Sequence, residues 1–328
     1  MTDVRSAIVA TVLNEVRHIR EFLDSLERQT RTPDVLVVTD GGSVDGTTEI
    51  LRQFASHTRL PFRWQGVPGN RSQGRNAAIR LADTDLIAVT DVNIVEPEWF
   101  ERIIAPLECG KADVVGGWYE PLGDTPRESA LGAMTLFSLR DIRPDSFVPA
   151  SRSVAFTREA WRRVGGYDER LATAEDTVLA FAMRRAGLRF MFEPRAVVRC
   201  WTATSAVEAF RMYRRYAFSD GRAGTLGMPQ THYGRIYAVY GIAAGVLVLG
   251  FWWPPAWIAL VGGAVAYAFV RVRAVVRLGL WTQIPYSILV GLAVDVAQMS
   301  GYAAGRVHAL PALPLDGPAR AIRPRRGT

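Results

Sequence analysis

Leu86-Ile-Ala-Val-Thr-Asp91-Val-Asn93 is an apolar run that ends on a carboxylate, with a second oxygen-bearing side chain two positions later. A buried strand that stops at an acid delivers charge to the carboxyl edge of a parallel sheet, where open α/β folds bind ligands. Three further acidic turns follow strand-like runs or open helices: Asn14-Glu15, Asp40-Gly-Gly-Ser-Val-Asp45 and Glu175-Asp176. Four such turns in one domain point to a site built around a polyphosphate, a divalent cation and a reacting hydroxyl.

Outward from that stretch, strand-like and helix-like segments alternate. Ser6–Leu13 reads as a buried strand and Val16–Gln29 as an amphipathic helix; Asp34–Thr39 and Gly46–Ala55 repeat the pair, and helix Arg75–Leu81 leads into strand Asp85–Thr90. Short connections between such units predict a mostly parallel sheet covered by helices. Downstream, helices are expected near 98–106, 129–139, 158–164, 174–186 and 205–217, with strands near 113–118 and 147–156. The first turn is Leu13-Asn14-Glu15 and carries no G-x-G-x-x-G, which argues against a dinucleotide-binding Rossmann domain.

Composition divides the chain. Of its 328 residues 49% are hydrophobic, with mean hydropathy +0.06, and the excess is concentrated near the C-terminus. Residues 1–225 read as an α/β catalytic domain and 226–328 as a helical membrane region, in which Asp295 is the single acid between 236 and 304. Segments 236–253 and 256–270, separated by Pro254-Pro255, predict a hairpin. The third apolar segment, 284–305, contains Asp295, Gln298 and Ser300, and an interfacial or re-entrant helix is expected there. As a span it would export the arginine-rich tail (Arg320, Arg323, Arg325, Arg326), against the positive-inside tendency.

The net charge of +7 is almost wholly arginine, since Lys111 is the only lysine. Arginines cluster beside the apolar region, at Arg211, Arg214 and Arg215 and at Arg271, Arg273 and Arg277. Such flanks suit anionic lipid and a cytoplasmic face; no nucleic-acid motif accompanies them, so nucleic acid is not an expected partner. Cys109 and Cys200 have no ligand or disulfide spacing, and no signal peptide is evident, which suits a reduced compartment.

Transfer from a nucleotide-sugar makes specific demands. A leaving diphosphate develops negative charge that Mg²⁺ or Mn²⁺ can offset, and hard cations want oxygen ligands. Asp91 and Asn93 supply such oxygens, since residues two apart along a strand point the same way. The acceptor hydroxyl needs a base, and Asp176 or Glu175 in the first turn of a helix can serve. Each acid also has a plainer reading: Asp40 and Asp45 as turn and N-cap residues, Glu175-Asp176 as a helix start. The four histidines have no ligand spacing among themselves.

Five stretches together resemble glycosyltransferase family 2, the inverting enzymes of GT-A (Rossmann-like) fold, from about Ala7 to Gly224. They are Thr11-Val-Leu-Asn14-Glu15, Val38-Thr-Asp40-Gly-Gly-Ser43-Val-Asp45-Gly-Thr47, Gly74-Arg75-Asn76-Ala77-Ala78, Val89-Thr-Asp91-Val-Asn93, and Trp161 to Glu169 leading into Ala174-Glu175-Asp176-Thr177. The resemblance implies that Asn14, Glu15 and Asp40 line the nucleotide pocket with Arg75 nearby and Asp91 at the diphosphate. It also implies that Asp91 and Asn93 hold the metal, and that Asp176 is the base with Glu175 beside it. Arg152, Arg215 and Tyr216 are further candidates toward acceptor or diphosphate.

Three departures stand out. Gly41 replaces an acid that reads uracil in many members, and Asn93 replaces the last Asp of D-x-D. The Q-x-x-R-W motif of processive synthases survives only as Met212-Tyr-Arg214-Arg215-Tyr216. A single-sugar transfer to a lipid or lipid-linked glycan is therefore expected, at the inner membrane with the catalytic domain cytoplasmic. A polyprenyl-phosphate glycosyltransferase and a non-catalytic nucleotide-sugar-binding scaffold are the alternatives.

Overall fold

The computed structural model describes residues 4–135, 139, 142–224 and 231–310. The chain forms two compact units, Met1–Tyr119 with Arg143–Arg199 and Glu120–Ile142 with Cys200–Leu310. The divisions fall near the ends of two strands, after Tyr119 and after Arg199; the 225/226 boundary expected from composition, and the basic tail, lie outside the described residues.

In the first unit, strands β1 (Ser6–Val12), β2 (Val35–Asp40), β3 (Phe62–Gly66) and β4 (Leu86–Val89) alternate with helices α1 (Ile19–Glu27), α2 (Thr47–His57) and α3 (Arg71–Ala82). Then come β5 (Ile94–Val95), α4 (Trp99–Glu108), β6 (Val114–Leu122), β7 (Val154–Thr157), α6 (Arg158–Arg163), α7 (Glu175–Arg185) and β8 (Phe190–Trp201); α5 (Pro126–Thr135), between β6 and β7 in the chain, belongs to the second unit. The sheet order is β3-β2-β1-β4-β7-β6-β8-β5.

The expected parallel arrangement holds from β3 to β4. It stops there, because β7 pairs antiparallel with both β4 and β6, so the sheet is mixed. Every residue of β2 and β4 is buried, the signature of strands covered on both faces. Their core joins Val9, Val37, Val89 and Phe156 to Ile79 of α3 and Leu179 of α7.

Three strands were not expected, the two-residue β5 among them. β3 is short and half polar (Phe-Arg-Trp-Gln-Gly), and β8 carries Glu193 and Pro194 inside it. The strand expected over 147–156 shrinks to β7, since a turn closed by the Ser153 N–H on the Ala150 carbonyl (3.0 Å) precedes it.

The second unit holds α5, α8 (Ala206–Ala223), α9 (Thr231–Leu249), α10 (Ala256–Arg277) and α11 (Ile284–Val307). The last three are long and apolar enough to cross a membrane. Pro254-Pro255 separates α9 from α10 as expected, but α10 continues seven residues past 270, through Arg271 and Arg273 to Arg277. α11 is one unbroken helix of 24 residues, without the reversal a re-entrant segment requires. Asp295 is buried on α11, where it accepts hydrogen bonds from Tyr240 (3.1 Å) and Tyr267 (2.8 Å) and pairs with Arg271.

Candidate functional site

The carboxyl ends of β1, β2 and β4 lie side by side. Register pairs Val12 with Asp40 on one flank of β1 and Val9 with Val89 on the other. Asp40 and Asp91 thus come from strands on either side of β1, at about 10 Å, twice the strand spacing.

The turns after β1 and β2 are stitched together. Asn14 adopts φ 56°, a left-handed conformation that asparagine tolerates. Its N–H donates to Ser43 Oγ (2.8 Å), and its Oδ1 accepts from the Val44 N–H (2.9 Å). The Glu15 N–H donates to Thr47 Oγ1 (2.8 Å), and that of Val16 to Asp45 Oδ2 (3.0 Å). Asp45 is therefore a turn residue that also ties the two loops.

Asp40 is buried, and four protein groups already donate to it: the N–H of Gly42 and Ser43 and the hydroxyls of Ser43 (2.7 Å) and Thr48 (2.6 Å). Burial works against its charge, but these donors hold the carboxyl below its usual range. Glu15, by contrast, is raised to about 7: burial dominates, the Arg71 cation opposes it, and the Asp91 and Asp45 carboxylates add to it.

Arg75 organises the far side. It projects from α3, is 1% exposed, and pairs through Nη1 with Glu175 and through Nη2 with Asp91 Oδ1 (2.5 Å). Its guanidinium lies 5.4 Å from the Tyr167 ring centroid. With both Nη groups engaged by carboxylates, Arg75 joins the two acids from below.

Burial opposes ionisation of Asp91, but Arg75, Arg71 and Arg152 together pull its carboxyl down to about 2. Glu175 shifts the other way: burial and the adjacent Asp176 carboxylate raise it, and Arg75 only partly compensates. Asp176, half-buried, accepts from the Ser151 N–H (3.2 Å) and from the N–H of Thr177 (2.7 Å). Ser151 also bonds the Tyr167 hydroxyl (2.9 Å), closing a ring around the N-terminus of α7.

Asn93 is buried, and its Nδ2 has no partner among the described residues. Arg152 lies over the Tyr119 ring at 5.5 Å, and its carbonyl accepts from Thr90 Oγ1 (2.9 Å), which places it beside Asp91. Arg215 and Tyr216 stack on each other at 6.0 Å on α8, in the second unit. Glu15, Arg75, Asp91, Glu175 and Asp176 thus form one connected cluster, with Asn14 and Asp40 on the adjoining loops.

The sequence reading missed Arg71, Tyr167 and Ser151. Arg71 opens α3 after the Asn70–Gln73 capping box and acts electrostatically on Glu15, Asp91 and Glu175 together. The helix-start pattern Asn70-Arg-Ser-Gln73 was the available signal, because it puts a cation at a helix N-terminus.

Residues 7–222 match the sequence profile of glycosyl transferase family 2. The chain belongs to that family. Among its family 2 relatives, the succinoglycan biosynthesis protein ExoA of Rhizobium meliloti is 27% identical over 268 residues, covering 76% of this chain and 79% of that protein. A validoxylamine A glucosyltransferase of Streptomyces hygroscopicus is 24% identical over 230 residues; the match covers 66% of this chain but only 44% of that enzyme. In fold, the chain is similar to a mannosyltransferase, PcManGT from Pyrobaculum calidifontis, solved with GDP-Man and Mn²⁺ (TM-score 0.58, 17% identity, 93% and 88% of the two chains). It is also similar to TarS 1–349 of S. aureus solved with UDP-GlcNAc (TM-score 0.51, 15% identity, 93% of each chain). This family 2 chain is therefore a nucleotide-sugar glycosyltransferase of GT-A fold with three candidate membrane helices.

Proposed function

We propose that the protein is a membrane-anchored inverting glycosyltransferase that moves one sugar from a nucleotide-sugar to a hydroxyl of a lipid or lipid-linked glycan, from the cytoplasmic face of the cell membrane. The observation that carries this reading is the buried Arg75 bridge, which links the strand-end carboxylate Asp91 to Glu175 and so to Asp176. One arginine fixes the spacing between a diphosphate-side acid and a base-side pair, as an in-line displacement requires. Asn14, Glu15 and Asp40 form the nucleotide side, and the cations Arg71 and Arg152 face the diphosphate beside Asp91. Asp176 takes the acceptor proton; Glu175 holds the Arg75 bridge next to it.

A divalent cation fits this donor set in part. Asp91 has one carboxylate oxygen turned to Arg75 and the other uncommitted to it. The unpartnered Asn93 amide atom is a nitrogen as placed, and turning the isosteric amide round would set an oxygen there. Among the described residues no three His, Cys, Asp or Glu side chains gather at one point, so diphosphate oxygens would have to complete the shell. Mg²⁺ or Mn²⁺ held there would offset the charge of the leaving diphosphate.

The reading is tested by Asp176→Asn. Turnover should fall by on the order of 10²–10⁴-fold, the scale of a lost general base, while calorimetric donor affinity stays within about twofold. Undiminished transfer to a hydroxyl acceptor rejects the base; full activity confined to a polyprenyl phosphate, already an anion, identifies the alternative acceptor class.

A further inference from the structure

The second unit contains an arrangement that transfer chemistry does not use. α9 and α10 are antiparallel neighbours, and both reach α11 at Asp295, through Tyr240 and Tyr267. From that point toward their base they part company along α11. Going back along α9, Tyr237 donates to the Met299 carbonyl (2.7 Å) and Tyr233 stacks on Tyr302 at 4.3 Å, toward the C-terminus of α11. Going forward along α10, Arg271 packs against Gly291, toward its N-terminus. Between Asp295 and the base of the hairpin, α11 therefore meets α9 through its C-terminal half and α10 through its N-terminal half.

α8 lies along α11 in the same chain direction. Ala209 packs with Val290 and Val294. Further on, a Cβ on Gly301 would fall 2.3 Å from the Arg214 carbonyl oxygen, and one on Gly305 would fall 2.1 Å from that of Phe218. The outer faces of the pair differ sharply. α11 exposes Leu289, Leu292, Val296, Ala303 and Val307, an apolar stripe at helical spacing with Ser300 within it and Arg306 at its C-terminal end. α8 exposes Glu208, Arg211, Arg214 and Arg215. If α11 crossed a bilayer, its companion would carry those arginines into hydrocarbon, where charge is strongly disfavoured.

We infer that α8 and α11 form a platform lying in the plane of an anionic membrane face, with only the α9–α10 hairpin inserted across it. The α11 stripe sinks to the headgroup boundary, continuous with the exposed apolar surface of the hairpin (Ile242, Ile258, Val261, Val265), while the α8 arginines meet lipid phosphates. The inference rests on the membrane-anchored reading and adds that the chain beyond Leu310 emerges on the side where α8 lies.

The test uses the full chain in membrane vesicles of both orientations, with Cys109→Ser as background (Cys200 is buried) and a membrane-impermeant maleimide. Val207→Cys on exposed α8 and Ala309→Cys after α11 should be labelled from the same side, and not from the other. Labelling from opposite sides overturns the platform. If either variant fails to accumulate, a protease-sensitive tag after Thr328 gives the same reading: digestion in the vesicle orientation that exposes α8 supports it, protection there overturns it. Release of the whole chain into the soluble fraction would instead reject membrane anchoring itself.

Discussion

Replacing Arg75 by methionine keeps most of the side-chain volume and removes the one cation that both Asp91 and Glu175 engage. Removing one partner of a buried ion pair costs about 3–5 kcal/mol, because the other charge stays behind. The cost divides unevenly here. Asp91 is 25% exposed along its side chain and can recruit water, whereas Glu175 is 3% exposed and cannot. Most of the penalty therefore falls on Glu175, and Glu175→Gln in the Arg75→Met background should restore at least half of it.

At roughly 2–4 °C per kcal/mol for a unit of this size, the single variant should melt about 6–20 °C below wild type near pH 7.5. The pH dependence has a definite sign. In wild type Asp91 is depressed to about 2, so its stabilisation is present above the unfolded value near 4 and fades as pH falls toward 2. In the variant Glu175, already raised by burial and Asp176, loses its main opposing cation, so the penalty is present at neutral pH and shrinks as acid protonates it. The gap between the two melting curves must narrow from pH 7.5 to pH 5. Thermal unfolding of purified protein followed by intrinsic fluorescence measures this, and a gap under 2 °C, or one independent of pH, would falsify the bridge as the site's central strut.

Further outcomes follow from other groups. Asn93→Asp adds a second carboxylate beside Asp91 and should lower the Mn²⁺ concentration for half-maximal turnover by about tenfold or more; an unchanged metal titration removes Asn93 from the cation site. Glu15, raised to about 7, is neutral below that pH and anionic above it. Donor affinity should fall as pH rises through 7, since the diphosphate then meets another negative charge, and Glu15→Gln should flatten the calorimetric profile. Asp295→Asn strands Arg271 among helices and should reduce the yield of folded protein, whereas Asp295→Leu with Arg271→Met should recover it. Equal yields from both would show that the pair carries no structural weight.

Three of the four parallel strands were legible because β1, β2 and β4 are mostly apolar runs that lead into acidic turns, a pattern with few other physical solutions. The family was legible for a related reason, since each of its motifs falls at a strand end or helix start whose spacing the fold dictates. β8 escaped because Glu193 and Pro194 interrupt its pattern, and its alternation sets in only from Ala196. In the site, Asp91, Glu175 and Asp176 were identified from local context. What connects them was not: the burial of Arg75 between two acids is a long-range contact that no local pattern around it signals. The pairing of α11 with α8 rests on Gly301 and Gly305 meeting the α8 backbone, a long-range contact with no local sequence signature.

Asn76 binds two distant stretches into one mechanical part. Its Nδ2 donates to the Tyr167 carbonyl and to Glu169 (both 2.9 Å), and its Oδ1 accepts from Trp161 Nε1 (3.2 Å) and the Tyr167 N–H (3.0 Å), which leaves no hydrogen-bonding capacity over. The segment that carries Arg71 and Arg75 and the segment that leads to Glu175 and Asp176 are consequently inseparable as building blocks. A chimera that imports residues 161–176 from a relative without 70–76 would inherit a misaligned joint, and exchange of acceptor preference by grafting should succeed only when both pieces travel together.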